Sequence, residues 1–106
     1  MFEKDITKDS YKVLCIIYKA YLQRVKSGEA TRIASVFVDD KTFGSVYAPD
    51  ISYDDLYAAI VELKNNGYVK KYIDGGFCLL SSGIVLLENR FKNNLSDVID
   101  FLGLFG

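Results

Sequence analysis

One stretch of the chain, residues 52–87, constrains the fold more than any other, because helix and strand patterns alternate there between clear stop signals. Ser52 is a candidate helix N-cap, with Asp55 in the capping-box position. Apolar residues then recur at helical spacing up to a terminating polar run: Leu56, Ile60 and Leu63, followed by Asn65, Asn66 and Gly67. The pattern predicts a well-delimited helix over residues 52–66.

A β-hairpin and a further helical region are predicted to follow. Residues 68–73 are rich in aromatic and β-branched side chains, Asp74-Gly75-Gly76 is typical of a tight turn, and residues 77–80 predict the returning strand. Ser81 or Ser82 could then cap a helix whose apolar residues recur at steps of three and four: Ile84, Leu87, Phe91, Leu95, Val98, Leu102 and Phe105. A polar cluster at residues 93–97 is a point at which this helix could divide.

The N-terminal half contains one clear helix and one ambiguous segment. Helical periodicity runs from Ser10 to Lys26, with Asp9 or Ser10 as N-cap and Gly28 after the end. Its apolar surface is wider than one stripe, which predicts a central helix covered on two sides. In residues 29–50, the run 33–38 fits either a strand or a helix, and Asp39 or Asp40 could cap a short helix.

Composition limits the class of protein. The chain has 106 residues, of which 50% are hydrophobic, so we expect one domain over residues 1–106, with residues 82–106 as a C-terminal helical extension. It has no signal-like N-terminus and no apolar run of about 18 residues, which predicts a cytoplasmic protein without membrane contact. Cys15 and Cys78 lie in apolar runs and are expected to be buried free thiols.

The order and spacing of residues 52–87 resemble the winged helix-turn-helix family. The matching residues are the helix end and aromatic turn at 64–69, the hairpin, and Leu80-Ser81-Ser82-Gly83 opening the next helix. The family's usual pattern is Leu-Thr-x-x-Gly, so the serine here lies one position nearer the glycine. The chain is most similar to the small YjcQ-like proteins of Gram-positive bacteria and their phages, over helix 1 and residues 50–92. The resemblance implies an α+β, mostly helical winged-helix fold.

The resemblance also implies a DNA-binding, transcriptional regulator that contacts double-stranded DNA, with phages or mobile elements as its implied origin. On this hypothesis the contact residues are Tyr57, Val61, Lys64, Asn65, Lys70 and Lys71. The charge argues against it, because 14 acidic residues outnumber 13 basic ones and the predicted recognition helix begins with Asp54 and Asp55. The alternative is a winged-helix module that binds another protein and not DNA.

The C-terminal apolar stripe allows two interpretations. Its spacing suits helix packing between two copies, which predicts a homodimer through Phe91, Leu95, Val98, Leu102 and Phe105. Alternatively, the stripe folds back on helix 1 and completes the core of one chain. The sequence leaves both open.

Catalysis is not expected. The chain has no histidine, so a Cys-His pair is excluded, and neighbouring aspartates such as Asp39-Asp40 and Asp54-Asp55 are typical of helix starts. Phosphate-binding glycine loops, Cys-x-x-Cys pairs and EF-hand loops are absent from the sequence. We therefore predict a protein that acts by binding, without cofactor or metal.

Overall fold

The computed structural model of the protein describes residues 6–104, which form a mostly helical α+β fold with a small antiparallel sheet. In chain order the elements are α1 (Lys8–Lys26), α2 (Thr31–Ala34), β1 (Val36–Phe37), α3 (Asp40–Tyr47), α4 (Tyr53–Asn65), β2 (Val69–Lys71), β3 (Phe77–Leu79), α5 (Ser81–Phe91) and α6 (Leu95–Gly103).

Helix α1 is the centre of the fold, as its wide apolar surface predicts. It packs against α2, α3, α4, α5 and α6, and eleven of its residues are buried. Its start differs from the sequence prediction: the N-cap is Thr7, whose hydroxyl accepts the Ser10 amide at 3.1 Å, and Asp9 and Ser10 lie within the first turn. Gly28 takes a left-handed φ of 108° just after the helix, which glycine adopts without steric cost.

The ambiguous segment forms a short helix, a short strand and a second helix. Both alternatives for residues 33–38 hold in part, because Thr31–Ala34 is helical and Val36–Phe37 is a strand. Asp39 is the N-cap of α3, since its carboxylate accepts the Thr42 amide at 3.0 Å. Helix α3 ends at Tyr47, two residues before Pro49.

Helix α4 and the hairpin confirm the prediction from residues 52–80. Ser52 caps α4 by accepting the Asp55 amide, and Gly67 ends it with a φ of 80°. Strands β2 and β3 pair with Val69 opposite Leu79 and Lys71 opposite Phe77. Strand β1 pairs with the other side of β3, which gives the antiparallel order β1-β3-β2.

A phenylalanine cluster, Phe37, Phe43 and Phe77, joins the sheet to α3. The ring centroids lie 5.0 to 5.2 Å apart, with two edge-to-face pairs and one stacked pair. Their exposed fractions are at most 5%. Each such aromatic pair adds about 0.5–1.5 kcal/mol to the free energy gained by burial alone. The cluster therefore fixes the position of the sheet relative to α3.

The predicted C-terminal helix divides where the polar cluster indicates. Lys92 and Asn93 have left-handed φ values of 52° and 62°, and Asn94 caps α6 by accepting the Asp97 amide. The start of α5 differs from the prediction, because its N-cap is Leu80 and no side chain caps it. The Ser82 hydroxyl instead donates to the Gly67 carbonyl, which ties α5 to the end of α4.

Gly83 allows α5 to pack closely on its neighbours. A Cβ atom at this position would lie 2.9 Å from Leu79 Cδ1 and 3.0 Å from the Tyr68 carbonyl oxygen. This close approach is the physical role of the glycine that ends the Leu80-Ser81-Ser82-Gly83 motif.

The C-terminal stripe packs on the core of one chain, as the second interpretation of its spacing predicts. Phe91 and Val98 are 5% and 0% exposed. Leu95 and Leu102 are half-buried against the same core, and α6 packs on α1. Phe91 and Val98 are thus covered within one chain, whereas Leu95 and Leu102 keep part of their surface exposed, and the pairing of two copies through this stripe stays a prediction. Phe105 lies outside the described residues.

Candidate partner-binding face

The outer face of α4 is open to solvent over its whole length. Asp54, Tyr57 and Ala58 are exposed in its first half, and Lys64 and Asn65 are exposed near its end. Val61 lies on the same side but is half-buried. The apolar residues that recur at helical spacing, Leu56, Ile60 and Leu63, are buried together with Ala59 on the inner face of the helix.

A cleft of about 520 Å³ adjoins this face where α3, α4 and the hairpin meet. We call it the tyrosine cleft, because Tyr53 and Tyr57 of α4 and Tyr72 of the hairpin line it. The other lining residues are three aspartates, two lysines and two residues of the hairpin turn: Asp39, Asp40, Asp74, Lys41, Lys71, Ile73 and Gly75. The three tyrosines are 38 to 42% exposed, so each is partly open to solvent and partly packed on the protein.

Lys71 is engaged within the protein, which changes its predicted role. Its ammonium lies 3.8 Å from Asp40 Oδ2 and 4.8 Å from the centroid of the Tyr57 ring. Asp40 is 3% exposed and also accepts the Tyr53 hydroxyl at 3.3 Å. A lysine held between a buried carboxylate and an aromatic ring is not free to bind phosphate.

The other cations on this half of the molecule are not gathered around Lys71. Lys70 is exposed on the opposite side of β2 from Lys71, with its ammonium 5.6 Å from the Tyr72 ring centroid. Lys41 lies over the Tyr53 ring at 5.4 Å. Arg32, on α2, does not line the cleft. Of these cations, only Lys41 and Lys71 line the cleft. They share it with three carboxylates, those of Asp39, Asp40 and Asp74.

Two groups of the cleft have shifted pKa values. The pKa of Asp39 is lowered, because the backbone amide and the hydroxyl of Thr42 both donate to its carboxylate. The pKa of Tyr53 is raised, first by desolvation and then by the negative charge of Asp40 and the hydrogen bond to it. The cleft therefore favours a charged Asp39 and a neutral Tyr53 at neutral pH.

The hairpin is short, and its turn is attached to α3. The Asp40 amide donates to the Gly75 carbonyl at 3.0 Å, and the Gly76 amide donates to the Asp74 carboxylate at 3.1 Å. Ile73 at the turn is fully exposed. The hairpin thus closes one side of the cleft and presents an apolar and an acidic residue to solvent.

The opposite side of α4 holds α1 in place through one carboxylate. Glu62 accepts hydrogen bonds from the Thr7 amide at 2.9 Å, from the Thr7 hydroxyl at 3.1 Å and from the Ser10 hydroxyl. These donors, the Ser10 hydroxyl first, lower the pKa of Glu62. A second cleft of about 400 Å³ lies beside them. Glu62 thus joins α4 to the start of α1. Its negative charge is favourable there, because the N-terminus of a helix carries partial positive charge.

The two cysteines differ in burial, so the prediction of two buried thiols is correct for only one of them. Cys15 is fully buried, and burial raises the pKa of its thiol to about 12, so it is inert near neutral pH. Cys78 is half-buried and lies 3.5 Å from the Tyr72 hydroxyl. Both are free thiols.

Residues 6–104 show neither a metal-binding cluster nor a membrane-spanning helix. This part of the chain contains no group of three or more acidic or cysteine side chains arranged to hold a metal ion. None of its helices combines the length and apolar character needed to cross a bilayer.

Of the ten residues that line the cleft, the predicted contact set contains only Tyr57 and Lys71, and Asp40, Tyr53 and Tyr72 are among those that it lacks. The sequence predicts Asp40 only as a candidate helix cap. Tyr53 and Tyr72 lie in different elements, 19 positions apart in the sequence. No local pattern marks them, because the contacts between lysine and tyrosine in the cleft, Lys41 with Tyr53 and Lys71 with Tyr57, join residues 12 and 14 positions apart.

Comparisons with protein-family models, with curated proteins and with solved structures gave no match to this chain.

Proposed function

We propose that this chain is a winged-helix protein and that the face formed by α4 and the hairpin binds another protein. The winged-helix assignment is supported by the element order α1, β1, α3, α4 and hairpin, together with the sheet order β1-β3-β2. In this interpretation α4 corresponds to the recognition helix and the hairpin to the wing. The protein then acts by binding and not by catalysis.

The pairing of Lys71 with Asp40 is the observation that favours a protein partner. Because Lys71 is paired with Asp40, its charge is neutralised within the protein. The surface beside it then consists of tyrosine rings and acidic residues. Duplex DNA binds through neutralisation of its phosphates, so an acidic face opposes it. Tyrosine is enriched in protein interfaces, because its ring gives a large contact area and its hydroxyl tolerates water.

Site-specific photocrosslinking tests this proposal. A photoreactive amino acid replaces Tyr57 on the face, and in a control it replaces Val85, which is 52% exposed on α5. In cells that produce the protein, we expect a discrete crosslinked protein from position 57 and none of that mass from position 85. No crosslink from position 57, or the same product from both positions, would overturn the proposal.

DNA is the second candidate, as expected of a transcriptional regulator of this family. It is supported by the exposure of Lys64 and Asn65 at the end of α4 and of Lys70 at the start of the hairpin. The test is an anisotropy titration with random duplex DNA at low salt. DNA binding predicts measurable affinity that falls steeply with salt and weakens in Lys64→Glu and Lys70→Glu, with Lys26→Glu on α1 as control. No binding at micromolar protein would exclude this candidate.

A further inference from the structure

We infer that the tyrosine cleft receives an arginine side chain of the protein partner. The inference rests on the proposed function, since it names the chemistry by which the partner would recognise the face. Its basis is the composition of one cleft, in which aromatic rings and carboxylates surround a volume of about 520 Å³.

The cleft already binds cations of its own chain. The Lys71 ammonium lies 4.8 Å from the Tyr57 ring centroid, and the Lys41 ammonium lies 5.4 Å from the Tyr53 ring centroid. The π faces of these rings therefore attract positive charge in this environment. Lys41 is exposed, so a ligand cation that binds the Tyr53 ring more tightly can displace it. Lys71 is held in place by the buried Asp40.

The charge of the cleft remains negative after these internal contacts. Three carboxylates line it, at Asp39, Asp40 and Asp74, against two ammonium groups at Lys41 and Lys71. Asp40 is satisfied by Lys71 and Tyr53. Asp39 uses Oδ2 to cap α3 and Asp74 uses Oδ1 to accept the Gly76 amide, so the second oxygen of each can accept from a ligand.

The side chains that line the cleft favour arginine over a metal ion or lysine. The described residues hold no cluster of side chains suited to a metal. A planar guanidinium can stack flat on a tyrosine ring while its fixed fork of N–H donors reaches two carboxylates, whereas an ammonium is a point charge that, as at Lys71, contacts one ring and one carboxylate. The exposed Ile73 offers an apolar surface for the aliphatic part of the arginine side chain.

A titration with short peptides tests the inference without the partner. The probe is a capped Gly-Arg-Gly peptide, and the matched control is the same peptide with citrulline, which has the same shape without the charge. In proton–nitrogen NMR spectra we expect arginine-dependent shifts confined to the amides of the cleft, with a dissociation constant on the order of millimolar. Citrulline should give no saturable shifts.

Variants locate the binding in the cleft. Asp74→Asn keeps the turn acceptor but removes one charge, and Tyr53→Leu removes one ring. Each should weaken arginine binding about two- to fivefold. Asp100→Asn, an equal change of charge at an exposed position on α6, should have no effect. Absent shifts, equal shifts with citrulline, or equal weakening by Asp100→Asn would overturn the inference, and equal affinity for a lysine peptide would overturn the choice of arginine.

The two proposals can fail separately. A crosslink from position 57 without arginine binding would refute the arginine inference and leave the protein partner in place. Specific arginine binding without a crosslink would support the cleft as a cation site and refute its use against a protein partner.

Discussion

The phenylalanine cluster and the tyrosine cleft both adjoin α3, and both contain three aromatic residues. The phenylalanines are packed with ring centroids 5.0 to 5.2 Å apart and are almost fully buried. The tyrosines are 38 to 42% exposed, and the one close pair among them, Tyr53 and Tyr57, is 6.0 Å apart.

This difference indicates which aromatic residues serve stability and which are available for binding. A phenylalanine has no polar group, so it can be buried at no cost in hydrogen bonds. A tyrosine hydroxyl needs a partner, and the Tyr53 hydroxyl finds one in Asp40 at the boundary between the two regions. The comparison predicts large effects on stability from the cluster and small ones from the cleft.

The largest expected effect comes from Phe77→Ala, which removes the 0%-exposed member of the cluster. We expect it to lower the free energy of unfolding by about 3–5 kcal/mol in urea denaturation. Tyr57→Ala, of the cleft, should lower it by less than about 1 kcal/mol. If Phe77→Ala does not fold, Phe77→Leu should still cost about 1–2 kcal/mol. Equal costs at the two positions would contradict the comparison.

The next largest effect is expected from Gly76→Ala, which tests how the hairpin turn packs on the chain around β1, between the two regions. A Cβ here would lie 2.9 Å from the Val38 carbonyl oxygen and 3.1 Å from that of Phe37, so the backbone of β1 would have to shift. We expect a loss of about 1–3 kcal/mol in thermal or urea unfolding. Gly103→Ala is the control, because its Cβ would meet nothing within 4 Å. A neutral Gly76→Ala would mean that the hairpin turn is not held by β1.

A smaller effect is expected from the side of α4 that faces away from the cleft. The pKa of Glu62 is lowered in the folded protein by the Ser10 and Thr7 donors. Its contribution is therefore present above the unfolded-state pKa and is lost as pH falls through the lower folded-state pKa. Glu62→Gln should cost up to about 1 kcal/mol near neutral pH, since the contact is solvent-screened.

In Glu62→Gln, the free energy of unfolding should therefore fall less steeply as the pH is lowered through the acidic range than it does in the unmodified protein. We call this acidic part of the pH profile the acid branch. Asp100→Asn, which changes an exposed carboxyl on α6, serves as control. An acid branch that is unchanged in Glu62→Gln would show that this contact does not stabilise the fold.

The smallest effect concerns the cleft at alkaline pH. The pKa of Tyr53 is raised by desolvation and by Asp40, so its stabilising effect is present below the unfolded-state pKa and is lost as pH rises through the folded-state pKa. Ultraviolet titration of Tyr53→Phe, compared with the unmodified protein, should lose one tyrosine ionisation above about pH 10. Tyr57→Phe should keep that ionisation. Its persistence in Tyr53→Phe would assign it to another tyrosine.

Local sequence signals predicted the elements that they fully specify. The N-cap Ser52, the stop at Gly67 and the turn at residues 74–76 were predictable, because each requires a particular residue type at one position. The helix starts near Asp9 and Ser81 were placed incorrectly, since several adjacent polar residues could cap them. The correct N-cap of α1, Thr7, is reinforced by Glu62, which is 55 positions away.

The candidate site was less predictable than the fold. The exposed residues of α4 follow from helical periodicity, and they appear where the sequence places them. The partner of Lys71 could not be predicted, because Asp40 reaches it through a segment whose structure the sequence left open. The stripe through Phe91 and Val98 was equally ambiguous, since the same spacing serves packing within one chain or between two.

By itself, the sequence determined the α4–hairpin–α5 order, the face of α4 that is buried, and the acidic balance that argues against DNA, because these depend on spacing, turn chemistry and charge. The tertiary structure decided that three tyrosines from α4 and the hairpin form one cleft, that Lys71 is bound to Asp40, and that the C-terminal stripe is used internally. Contacts between distant residues depend on how the elements pack around α1, and local propensity contains no information about that packing.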